Sequence, residues 1–486
     1  MLSSVKSSNS LVLYALTTLY LVLSLFAIVK GYLFLLLIPI VLGVVYLAIE
    51  RIDKVFLLLG LLTPLSINLA KTGLGIGVSL PAEPLIFGIM LLFLLKTLYE
   101  GGIDSKLLFH PVSLAILFHL FWMMVTTASS TMFMVSFKQT LARVAFVTVF
   151  FFLGAQIFRQ VTNIRAFIWT YIITFSVVIA YTLFNHAAAG FTEKAAHTSM
   201  VPFYNDHTAY AAAAAMYLPL LIAFMFDKGY SSSYRWIAVG FFVIFVVSLI
   251  LSYTRASWVS LIAALLCYMV FLLKIRTWVV VTLIFAVISG YLIYQSDITM
   301  ALERNEEESS TDYASHVQSA SNITTDASNV ERLNRWSSAW RMFREKPLLG
   351  WGPGTYMFQY APFQKTDEKT IISTNFGEGG NAHSEYIGPL AEQGVLGTIG
   401  FIVIGVFALL RASRFIKNCK DPRLRILAKG LILGLITYWV HGMLNNFLDT
   451  DKASLPFWGF LGALVALEIY HDKKQIDQAA GSTDLK

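Results

Sequence analysis

Four short segments carry the side chains best suited to chemistry. Tyr253-Thr254-Arg255-Ala256-Ser257 places an arginine at the mouth of an apolar run. Arginine is always protonated and presents forked donors that suit anions; the alternative is a side chain that only snorkels to a membrane interface. Tyr204-Asn205-Asp206-His207-Thr208 precedes an alanine-rich run, where Asn205 or Asp206 would also serve as a helix N-cap. Gly379-Gly380-Asn381-Ala382-His383-Ser384-Glu385-Tyr386 sets a histidine after two glycines. The glycines permit close backbone approach to a ligand, and an imidazole titrates near neutral pH. In the stretch from Glu331 to Tyr356, Trp336, Trp340 and Phe343 recur at helical spacing beside Arg335, Arg341 and Arg344. That pattern predicts an amphipathic helix at the outer membrane–water interface, ended before Pro347. Its aromatics are either interfacial anchors or substrate contacts. His383 and Glu385 stand alone two residues apart, without the cluster that a metal site needs, so no metal is expected.

The elements that position these residues follow from composition. Of 486 residues, 57% are hydrophobic and only 13% are charged, with mean hydropathy +0.66. Soluble chains carry about 25% charged residues, so a soluble enzyme, a disordered chain and an ordinary nucleic-acid binder are excluded. A membrane-crossing helix needs about 20 apolar residues. Candidate runs lie near 11–29, 31–49, 55–70, 80–98, 111–127, 140–158, 166–184, 208–226, 236–252, 257–273, 278–295, 395–410, 427–446 and 455–470. The third is short and contains Pro64, which leaves 12 to 14 spans, with a re-entrant piece as the alternative for one of them. With the N-terminus in the cytoplasm, 21 of the 36 Lys and Arg residues fall on inner segments and seven on short outer loops. The remaining eight sit in one long outer loop, which largely escapes the positive-inside rule. All four chemical segments then fall on the outer face. The run after Met1–Ser10 reads as a first membrane helix and not as a removable signal peptide. Cys267 and Cys419 occupy different hydrophobicity zones and are not expected to pair.

The expected fold is therefore an all-α polytopic membrane protein, a helical bundle with one large periplasmic loop. Residues 1–184 form N-terminal spans, and 185–295 hold further spans with a smaller outer loop at 185–207. The large loop covers 296–394, with a polar, solvated first part at 304–330, and 395–486 hold the last spans and a cytoplasmic tail.

The run Arg332 to Tyr356, with Trp340, Phe343, Pro347, Gly350, Gly352, Pro353 and Gly354, resembles the O-antigen ligase and polymerase family. So does the following Ala382-His383-Ser384-Glu385-Tyr386 with Leu390, Glu392, Gly394 and Gly397. Ser252-Tyr253-Thr254-Arg255 and Asn205-Asp206-His207 fit its upstream elements, so the resemblance spans roughly residues 200–450. It implies a GT-C-like, metal-independent glycosyltransferase of the bacterial inner membrane, needing no cofactor, with its active site facing the periplasm. The implied donor is a glycan on undecaprenyl diphosphate, and the implied acceptor is lipid A–core. A growing polysaccharide or a protein hydroxyl is the alternative acceptor. Arg255 would stabilise the departing diphosphate and His383 would act as general base, with Asn205, Asp206, His207, Arg335 and Glu385 binding substrate. Members carry a second arginine shortly before the Asn element; Glu193 to His207 has none, and Lys194, His197, His207 or Arg335 are the candidates for its place. A transporter or flippase is the rival class. It would favour mid-helix charges and repeat symmetry, neither of which is apparent in this sequence.

Overall fold

The computed structural model describes residues 2–69, 77–275, 327–369, 373 and 380–481. The eleventh apolar run at 278–295, most of the polar stretch after it, and Gly379 lie outside the described residues. Contacts divide the chain into two units, Met1–Leu58 and Leu59–Lys486. The first holds α1 (Leu2–Lys30) and α2 (Ile38–Glu50), with the Tyr20 hydroxyl donating to the Leu36 carbonyl at 3.0 Å.

The second unit is built almost wholly of helices. The third apolar run is not a full span: α3 (Ile52–Leu62), which begins in the first unit, ends where Pro64 removes an amide, in a turn of 3-10 helix. The chain then pairs Ile67–Asn68 against Ser79–Leu80 as a two-residue antiparallel ladder. There follow α4 (Ala82–Glu100), α5 (Pro111–Ala128), α6 (Phe133–Phe146, continued by a π-helical turn to Leu153 and by Gly154–Ile157) and α7 (Val161–Ala188). Next come α8 (His207–Phe226), α9 (Ser232–Ile250), α10 (Arg255–Leu273), α11 (Ala327–Glu345), α12 (Ile387–Asn418), α13 (Pro422–His441) and α14 (Asp451–Gly481). Ten helices among the described residues are long and apolar enough to cross a membrane. Cys267 and Cys419 are free thiols.

Helix starts are set locally. Asp206 caps α8 by accepting from the Thr208 amide at 2.8 Å, and Asp421 caps α13 from the Arg423 amide at 2.8 Å with Pro422 at the first helical position. Packing then follows residue size. Ala211–Ala215 of α8 are all buried, and α13 faces that helix with Gly430 and Gly434. A Cβ on Gly434 would stand 2.5 Å from the Met216 carbonyl oxygen, so the two backbones approach as only small residues allow. The apolar part of α14 is the most enclosed segment, burying Leu455, Phe457, Trp458 and Phe460, whereas α4, α9 and α10 turn most of their apolar residues outward. Outward apolar faces of this extent are what a helix in contact with lipid presents.

The segment after α11 explains the spacing of the glycines. Gly394 interrupts α12 with φ 69° and ψ −169°, a conformation that is essentially confined to glycine. The loop 347–356 lies against this break: the Trp351 and Gly352 amides donate to the Ala391 and Glu392 carbonyls at 3.1 and 2.7 Å, and the Val395 amide donates to the Pro347 carbonyl at 3.0 Å. A Cβ on Gly350 would stand 2.3 Å from the Glu392 carbonyl carbon, and one on Gly394 would stand 2.1 Å from the Leu348 oxygen. The glycines thus let two stretches of backbone dock on each other. Ala339, Met342, Tyr356, Tyr360, Ala382 and Ala391 close a small core that fixes α11 to this loop.

Candidate functional site

His383 sits between Gly380 and the start of α12, with φ 47°. A left-handed backbone costs a non-glycine residue roughly 1–2 kcal/mol, and here several contacts hold it. The Asn381 side chain accepts from the His383 amide at 3.1 Å, and the Glu385 amide donates to the Gly442 carbonyl at 2.8 Å. From α11, Trp336 Nε1 donates to the Ala382 carbonyl at 3.0 Å and Arg335 Nη1 to the Asn381 carbonyl at 3.1 Å. The same Nη1 reaches His383 Nε2 at 2.9 Å. Arg335 Nε is anchored on Glu331 at 2.8 Å, and both residues are buried. Burial, and then the charges of Arg335 and Arg332, push the His383 imidazole down to about 4 against the opposing pull of Asp206 and Glu331.

Gly380 serves this arginine. A Cβ there would stand 2.9 Å from the Arg335 guanidinium carbon. The close approach expected between the Gly-Gly pair and a ligand is, at Gly380, an approach to a side chain of the protein itself.

Arg255 opens α10 as its first residue and is half-buried. Two positions on, the Ser257 hydroxyl lies 3.4 Å from His441 Nδ1 at the end of α13, and Asn445 meets His441 Nε2 at 3.2 Å. His441 is therefore a second buried imidazole beside the Arg255 turn. It lies inside the apolar run at 427–446, and its signal in the sequence is the polar string His441, Asn445, Asn446 and Asp449 around the close of that run.

Asp206 lies at the head of α8, with His207 Nδ1 at 3.3 Å from its carboxylate. Burial opposes ionisation, but hydrogen bonds from His207 and the Thr208 amide prevail and hold Asp206 down to about 2. The His207 ring stacks on His197 at 4.2 Å between centroids, and burial followed by His207 lowers the His197 pKa. Asn205 is exposed. The charge of Asp206 acts on His383, so the heads of α8 and α12 share one neighbourhood with the end of α13. Lys452, at the head of α14, donates to the carbonyls of Ser66 and Phe203 and so ties down the chain that leads into Asp206.

Glu385 faces inward. Its Oε1 accepts from the Tyr438 hydroxyl at 2.6 Å and from the Phe447 and Leu448 amides at 2.8 and 2.9 Å. Burial pushes its pKa up against the charge of Arg143. Arg143 is a buried residue of α6 paired to Asp449 at 2.7 Å, where the charge pattern of the sequence would place it on a short outer loop. Arg341 is likewise a clamp, its guanidinium held by Glu368 at 2.7 and 3.0 Å. Trp340 is exposed, while Trp336 is bonded to the His383 segment. Among the described residues no group of three or more His, Cys, Asp or Glu side chains is placed to hold a metal ion.

The fold and its apolar surface define an all-α, multi-pass membrane protein. Residues 240–402, which contain Arg255, α11, His383 and the broken start of α12, match the family model described as O-antigen ligase. No curated protein matches the chain.

Proposed function

We propose that the protein transfers a glycan from undecaprenyl diphosphate to an acceptor hydroxyl on the periplasmic face of the inner membrane, with ligation to lipid A–core as its reaction. The observation that carries this reading is the convergence of Arg255, Asp206, Arg335 and His383 on one end of the bundle, three of the four within the stretch that matches the family.

In the proposed reaction the acceptor oxygen attacks the anomeric carbon while the bond from that carbon to the diphosphate oxygen breaks, its electrons leaving with the diphosphate. The leaving group needs cationic stabilisation and no metal. Arg255, held by the first turn of α10, supplies it, and Arg335 offers Nη2 as a second contact. The acceptor proton passes to His383, which is neutral at physiological pH. Asn205, Asp206 and His207 line the approach from α8. Glu385 acts through position, since its bonds to Tyr438, Phe447 and Leu448 fix the end of α13 to the His383 segment.

Deleting the gene and following surface glycans tests the assignment. Ligation predicts full-length glycan accumulating on its carrier with none on lipid A–core. Single repeat units on the core would instead identify a polymerase, and loss of a protein glycan a protein transferase.

A further inference from the structure

We infer that Arg335 is a positioning residue that fixes the tautomer of His383 and masks its basic nitrogen until an anionic ligand draws the guanidinium away. The inference deepens the proposed glycosyl transfer and rests on it only for its consequence in turnover. A guanidinium has donors and no acceptor, so the 2.9 Å contact between Arg335 Nη1 and His383 Nε2 requires a lone pair on Nε2. The ring proton of neutral His383 then belongs on Nδ1. Nη1 has two hydrogens, and both are used, one on His383 and one on the Asn381 carbonyl.

The charged groups that bear on the ring are Arg335, Arg332 and Glu331 from α11 and Asp206 from the head of α8. A base must accept through the lone pair that Arg335 occupies, so this arrangement is a resting state. Glu331 holds Nε at 2.8 Å, the guanidinium lies over the Tyr360 ring at 6.0 Å, and among the described residues Nη2 makes no hydrogen bond. The fork can therefore pivot about Nε toward a diphosphate without leaving its anchor. When Nη1 lets go, Nε2 is free to take the acceptor proton. Base activation is thereby tied to donor occupancy, which guards against attack by water on a carrier that is not yet seated.

The test reads the ring directly. Full-length protein with 15N-labelled histidine is placed in lipid nanodiscs, and the His383 signals are assigned by their loss in His383→Gln. The wild type should show an unprotonated Nε2 and a protonated Nδ1 from pH 5.5 to 8. Arg335→Gln should move the proton to Nε2 and raise the His383 midpoint by about one pH unit, while Arg335→Lys should restore part of the downward shift. Gly380→Ala, whose Cβ crowds the guanidinium with Arg335 still present, should shift the tautomer in the same direction and serves if Arg335→Gln does not fold. Undecaprenyl diphosphate added to the wild-type nanodisc should shift Nε2, and should leave Arg335→Gln unchanged. A wild type already protonated on Nε2, or a tautomer indifferent to both substitutions, overturns the inference. A wild-type spectrum indifferent to the carrier lipid overturns the release step. None of these readouts needs turnover, so a protein with the expected tautomer and no transferase activity would refute the proposed function alone.

Discussion

Acidification gives a quantitative handle on the proposed base. His383 is pushed down to about 4 from the ordinary histidine value of 6.5. A base is active when neutral, so a lowered pKa extends activity into acid. At pH 5.5 a group titrating at 4 is about 97% neutral, whereas one at 6.5 is only about 9% neutral, roughly a tenfold difference in competent enzyme. Asp206, held near 2, stays ionised throughout this range and adds no limb of its own. The assay is consumption of carrier-linked glycan by proteoliposomes at sub-saturating donor from pH 8 to 4.5, because kcat/KM reports the free enzyme. The rate at pH 5.5 should lie within a few per cent of that at pH 7.5, with only the onset of an acid limb visible at pH 4.5. A limb centred near 6.5 would refute the reasoning. So would the same limb persisting in His383→Gln.

Other expectations follow from the geometry. Gly394→Ala should destabilise the protein by about 3 kcal/mol or more, combining a glycine-only backbone conformation with a 2.1 Å overlap on the Leu348 oxygen. Gly388→Ala, whose Cβ would meet only Ala382 at 3.7 Å, should be far milder; equal thermal stability of the two in detergent would contradict the docking argument. Transfer should survive exhaustive chelation, and loss of activity restored by one divalent ion would overturn metal independence. In a cysteine-free background, Lys365→Cys should react with an impermeant thiol reagent added outside and Lys417→Cys should not; the reverse pattern would invert the topology.

Most spans were legible in the sequence, because a membrane demands long apolar runs and ten of these are long helices. The third run was marked by Pro64 and ends as a short helix for that reason. The motif glycines were legible as glycines, but their cause was not. Gly350 meets the backbone of Glu392 and Gln393, and Gly394 meets that of Leu348 and Pro347, a loop-on-helix contact between distant segments that no local pattern encodes. The His383 segment was legible through its Gly-rich setting. Its partner was not, since Arg335 bonds to it only through a tertiary contact made by α11. His441 was hidden because a single polar residue inside an apolar run leaves the average nearly unchanged, and Arg143 read as a loop charge because its buried partner lies far off in sequence. Arg143 lies among carboxylates contributed by distant segments.

The most direct test of the central claim is release of undecaprenyl diphosphate from a defined carrier-linked glycan by the purified protein in liposomes with lipid A–core, compared with Arg255→Ala and Arg255→Lys. The account predicts stoichiometric release and glycan transfer by the wild type, none by the folded alanine variant, and poor rescue by lysine, which keeps the charge but loses the fork that grips a diphosphate. Near-full activity of Arg255→Ala would contradict it.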